Sequence, residues 1–181
     1  YYRLDFAIDP NLDTRKYEAI LRNYRYVFNI LNIKGPGFED APTALKSTPS
    51  GNIDYEMIKW DETIHEMHVQ GKYHFGLDNR EFTFEPKSSI KEPTNVHLIK
   101  YQTNYPISDS DGLTFEWEKG GLFEAEWITK GSNGEIKLTA LTTNETNKEL
   151  TDILSVKLGS FMIKTTINQE YVNFEYTINC S

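Results

Sequence analysis

Three of the four histidines, His65, His68 and His74, lie close together with Glu66 between the first two, a set of donors that could hold a divalent ion. The spacing argues against it. A zincin-type site needs two histidines one helical turn apart with a glutamate beside the first, whereas only two residues separate His65 from His68. On a strand, His65 faces away from His68 and His74, and the remaining Glu66-His68-His74 face spreads over more than ~20 Å at ~3.3 Å per residue. The expectation is therefore surface and edge histidines, with no metal and no cofactor.

Nucleophilic chemistry is equally unsupported. Cys180 is the penultimate residue, and no serine sits in a Gly-x-Ser-x-Gly turn. No Gly-x-Gly-x-x-Gly or Walker loop occurs, and Gly35-Pro36-Gly37 follows an expected helix instead of opening one. No catalytic residue is assigned. An enzyme whose carboxylates are scattered along the chain stays open as a third alternative, because active sites can be assembled from residues distant in sequence.

Carboxylates form a more distinctive pattern. Leu113, Phe115 and Trp117 alternate with Thr114, Glu116 and Glu118, while Phe123, Ala125 and Trp127 alternate with Glu124 and Glu126. Read as a hairpin about Lys119-Gly120-Gly121, the two runs place Glu116, Glu118, Glu124 and Glu126 on one face opposite the core, where facing like charges destabilise a sheet. Three readings compete: a solvated face partly neutralised by Lys137 on the next strand, a docking patch for a basic partner protein, and a paired-carboxylate glycosidase. The last fits least well, because a convex hairpin face is a poor cleft.

A second candidate surface comes from the N-terminal segment. Tyr17, Ile20, Leu21, Tyr24, Val27, Phe28 and Leu31 recur at three-and-four spacing, which predicts an amphipathic helix over 14–33 with Asp13 or Thr14 as its cap. Arg15, Arg22, Arg25 and Tyr26 then fall on the opposite side, a composition common at interface hot spots. The plainer alternative is that Tyr26 stacks on arginine stems.

The elements that must position these residues read mostly as strands. Alternation over 2–8 predicts a strand ended by Asp9-Pro10, and turn formers predict a long loop over 35–52. Antiparallel strands follow across 53–178, at about 53–60, 63–77, 81–85, 96–103, 113–118, 122–128, 135–142, 151–158, 160–167 and 171–178. Residues 63–71 also fit a capped helix, but the alternation His65, Met67, Val69 continues into Tyr73, Phe75 and Leu77, which favours a strand with a bulge at Gly71. The expected fold class is α+β and predominantly β: a curved antiparallel sheet or barrel-like sandwich packed on one N-terminal amphipathic helix, as a single domain over 1–181.

Composition narrows the partners. The 181 residues carry a formal charge of −8, with six basic residues against four acidic ones in 1–34 and a net −10 thereafter. Such a chain repels phosphate backbones and anionic lipid, so neither nucleic acid nor a membrane is expected. The single cysteine favours a cytoplasmic location, while a start at Tyr1 leaves room for a trimmed leader. Two Asn-x-Ser/Thr sequons, at Asn144 and Asn179, carry no weight by themselves. Together these features point to a soluble, non-enzymatic protein that docks an acidic surface on a macromolecular partner, an inhibitor or immunity-type role being one form of it. The alternative class is a carrier whose curved sheet encloses an apolar pocket lined by Tyr, Phe and Trp.

Overall fold

The computed structural model describes residues 1–7, 17, 19–22, 24–47, 52–61, 63–91, 96–108 and 112–172. Among them the chain is predominantly β, in three sheets with one short helix. The described residues divide into two compact units, one within Tyr1–Thr63 and Val69–Tyr73, the other within Ile64–His68 and from His74 onward.

In the first unit the expected amphipathic helix over 14–33 is not found. Residues 14–16, 18 and 23 lie outside the described set, Tyr17 forms an isolated bridge with Ala7, and Tyr24–Ile33 is a strand, β1. It pairs antiparallel with β2, Ile53–Asp61, in the register Tyr26↔Lys59, Val27↔Ile58 and Phe28↔Met57. The run Tyr-Arg-Tyr-Val-Phe-Asn-Ile is so dense in apolar residues that it satisfies helical and period-2 spacing together. Its aromatic and β-branched content favours the pleated solution once a partner strand is available. By alternation Tyr26 and Phe28 share a face, where the Phe6 ring meets both edge-on at 5.3 and 5.2 Å and Tyr55 lies 5.8 Å from Phe28.

The expected strand over 2–8 is likewise replaced, within 1–7, by a segment that joins no sheet and is tied through side chains. The Asp5 N–H donates to the Tyr55 hydroxyl at 2.5 Å, and that hydroxyl donates to the Asp5 carbonyl at 3.1 Å. The loop expected over 35–52 contains a one-turn helix, α1, Ala41–Lys46, whose cap Asp40 accepts from the Thr43 N–H.

The second unit is a two-sheet sandwich. One sheet has the order β5-β11-β10-β7 (Glu81–Phe84, Phe161–Gln169, Leu150–Leu158, Thr114–Trp117). The other runs β3-β4-β6-β9-β8 (Glu66–Gln70, Tyr73–Leu77, His97–Thr103, Asn133–Ala140, Phe123–Thr129), of which Val69, Gln70 and Tyr73, at the ends of β3 and β4, belong to the first unit. The pairs β10–β11, β10–β7, β4–β6, β6–β9 and β8–β9 are antiparallel, while β11 and β5 run parallel. Alternation buries Leu154, Val156, Ile163 and Ile167 from the first sheet and Phe75, Ile99, Ile136 and Leu138 from the second. Rings meet across the gap: Phe84 stacks on Phe123 at 5.6 Å, and Phe75 lies 6.4 Å from Phe161. Each such side chain contributes about 1.5–3 kcal/mol on full burial.

Two strand assignments change. Residues 63–77 form two strands, β3 and β4, not one with a bulge, because Gly71 adopts φ +58° and turns the chain. Tyr171 and Val172 are not in a strand, and the rest of the strand expected at 171–178 lies outside the described residues.

The acidic hairpin is also overturned. β7 pairs with β10 and β8 with β9, so Lys119-Gly120-Gly121 carries the chain from one sheet to the other. Gly120 and Gly121 adopt φ +75° and +82°, a left-handed pair that other residues rarely tolerate. The carboxylate of Asp152, 1% exposed, holds this crossover by accepting the N–H groups of Lys119 at 3.0 Å and Gly120 at 2.9 Å.

Candidate functional site

The four hairpin glutamates therefore fall into two pairs on two sheets. Glu116 lies opposite Ser155 on β10, and its carboxylate meets the Lys157 ammonium at 2.5 Å. Glu118 follows the end of β7, and its N–H donates to the Ile153 carbonyl. On β8, Glu126 is in register with Lys137 of β9, and their charged groups stand 3.9 Å apart; Glu124 is in register with Thr139. Glu118 and Glu124 make no ion pair among the described residues. The neutralisation expected from Lys137 thus reaches Glu126 only.

Around the second pair the sheet surface is concave. Glu124, Glu126, Lys137 and Thr139 line an open hollow of about 160 Å³ together with Ile90 and Val96. Both aliphatic residues are exposed, Ile90 at 57% and Val96 at 43%. The hollow combines two carboxylates, one lysine and two exposed aliphatic side chains, a composition suited to contacting a partly apolar, basic group.

The second predicted surface does not assemble. Arg15 lies outside the described residues and Arg22 is exposed. Alternation on β1 sends Arg25 and Tyr26 to opposite faces. Arg25 stacks its guanidinium 4.7 Å over the Trp60 ring, its cross-strand partner. The Tyr26 hydroxyl accepts from the Leu21 N–H at 2.7 Å and donates to the Ala19 carbonyl at 3.3 Å.

The histidines separate in the same way. His68 Nε2 lies 2.7 Å from a Glu66 carboxylate oxygen that also pairs with Arg80. Burial pushes the Glu66 carboxyl up, but hydrogen bonds from Arg80 and His68 outweigh it and hold the group below its ordinary range. His74 is 7% exposed and its Nδ1 has no hydrogen-bond partner among the described residues; burial lowers its pKa to about 4. Among the described residues no three His, Cys, Asp or Glu side chains come together as metal ligands would.

Sequence reasoning missed a polar knot in the sandwich. Gln169, 1% exposed, donates to the carbonyls of Ser88 at 2.9 Å and Thr142 at 3.1 Å, while Asn144, equally buried, donates to those of Lys148 at 2.8 Å and Glu170 at 2.9 Å. These contacts tie loops to the end of β11 and are structural. The one available signal was the Asn144 sequon, which pointed elsewhere.

The second unit thus defines a two-sheet β-sandwich with an acidic, partly apolar hollow on one outer face. Comparison with protein-family models, with curated proteins and with solved structures finds no match to this chain.

Proposed function

We propose that the protein is a non-enzymatic binding module that docks an acidic surface on a basic protein partner, as an inhibitor or immunity-type protein does. The surface that supports this reading is narrower than the full set of glutamates. It is the Glu124 and Glu126 side of β8, where two exposed carboxylates share the hollow with Ile90, Val96 and, among the described residues, a single lysine. Glu116 belongs to another sheet and has Lys157 against it, so it makes a weaker anchor. The carrier alternative has less support, because aromatic rings from both sheets occupy the space between them.

The test is a tagged pull-down from the native host at low and moderate salt. A stoichiometric protein that leaves as salt rises, and is lost with Glu124→Lys/Glu126→Lys but retained with Glu116→Lys/Glu118→Lys, fits the proposal. Retention of a protein by the β8 reversal variant would sink it. So would co-purification of a small molecule with no protein.

A further inference from the structure

β8, whose Glu124 and Glu126 line the hollow, has one edge that pairs with no strand among the described residues, and we infer that this edge receives an extended basic segment of the partner by strand addition, an inference that rests on the acidic-surface reading above. Among the described residues β8 pairs only with β9. Its second edge therefore presents backbone N–H and C=O groups in the pattern that templates another strand. β8 has seven residues, five of them before the register shift near its end, against five in β3 and four each in the other edge strands, β5 and β7.

The side chains of β8 select the occupant. Glu124 and Glu126 point to the outer face, so a second copy of β8 paired along this edge would bring like charges together, at a cost that disfavours self-association. Phe123, Ala125 and Trp127 alternate toward the core side. A segment with lysine or arginine at every other position and aliphatic residues between them satisfies both faces. The register shift between Trp127 and Thr129 ends the usable edge, so pairing runs along Phe123–Trp127.

The probe is a synthetic peptide of alternating valine and lysine, titrated onto the full chain by fluorescence anisotropy at low salt. Two further versions carry N-methyl groups, one on the lysine amides and one on the valine amides. In an added strand only one of these sets points at the edge. One version should therefore bind at least tenfold more weakly while the other binds nearly as well as the parent, since only the first loses its backbone hydrogen bonds to the edge. Glu124→Lys/Glu126→Lys should abolish binding of all three while leaving the circular dichroism spectrum unchanged. If the charge reversal abolishes binding but the two methylated peptides behave alike, strand addition is wrong and the acidic-surface reading survives. If the parent peptide fails to bind, or binds the reversal variant equally, both are wrong.

Discussion

The two units bury their apolar residues by different means. In the sandwich, alternate residues of facing strands disappear completely: Leu154, Val156 and Leu158 on β10 are 0% exposed, as are Ile136 and Leu138 on β9. The first unit has two paired strands and a small aromatic cluster, and it leaves Ile33 59% and Leu45 67% exposed. One region is held by layer-on-layer packing, the other by a few rings, a tyrosine hydroxyl and Arg25 over Trp60. Two sheets give every inward side chain a partner layer; a two-stranded ribbon is marginal without added support. The second unit is thus the one whose inward side chains are packed layer on layer, and the candidate surface lies on it.

The largest expected effect tests that contrast in the core. Leu154→Ala removes a fully buried side chain from the centre of β10 and should cost about 2–5 kcal/mol in urea unfolding. Phe28→Ala in the half-buried cluster of the first unit should cost about 2 kcal/mol, a partial share of the burial term. Native-state hydrogen exchange sharpens the point: amides of β1 and β2 should exchange through local openings that leave β10 and β11 protected. Equal protection in both units would break the comparison.

Asp152→Ala should rank next. It strips the N–H groups of Lys119 and Gly120 of their buried acceptor, and a lost buried partner costs about 1–3 kcal/mol. The loss should fall on the sandwich transition, with the first unit's exchange unchanged. Asp152→Asn keeps one acceptor oxygen and should be milder.

How far the sequence alone could be read follows the same division. β2 and the strands from β5 to β11 lie within two residues of their alternating segments, because in a sandwich each strand has one buried face and period 2 records it directly. The sequence of β1 fits a helix as well as a strand because a dense aromatic run matches both periods, and only its pairing with β2 decides between them. The hairpin error has a different cause. A short glycine turn ordinarily joins neighbouring strands, but the buried carboxylate that steers this one across to the other sheet comes from Asp152, distant in sequence. Asn144 is misleading for a similar reason: its Nδ2 donates to carbonyls of Lys148 and Glu170, so in the folded chain this sequon nitrogen is a buried tie with no room for a glycan. Of the candidate surface, the alternation of Glu124 and Glu126 was legible, while the hollow shared with Ile90 and Val96 was not.

Acid should weaken the sandwich through His74. Its pKa falls from 6.5 to about 4 on folding, so between those values the unfolded chain binds more protons than the native one. The contribution of neutral His74 is intact above pH 6.5 and is lost progressively as pH falls toward 4. The urea midpoint should drop across that window, and His74→Leu should flatten the drop. An unchanged slope in the variant would assign the acid sensitivity to other groups.

The smallest effect concerns the two glutamate pairs and separates stability from recognition. Glu116 and Lys157 form an exposed pair at 2.5 Å, and Glu126 and Lys137 a looser one at 3.9 Å. Exposed pairs of this kind contribute about 0–1 kcal/mol, so Lys157→Ala and Lys137→Ala should shift unfolding by less than about 1 kcal/mol each. Their effects on partner binding should nevertheless diverge. Removing Lys137 takes away the one lysine among the described residues that line the hollow and leaves Glu126 as uncompensated as Glu124, which should tighten a basic partner at low salt. Removing Lys157 alters the outer face of the other sheet and should leave binding unchanged. Tightening by both substitutions alike would mean that only net charge matters, and the surface on β8 would lose its claim to be the site.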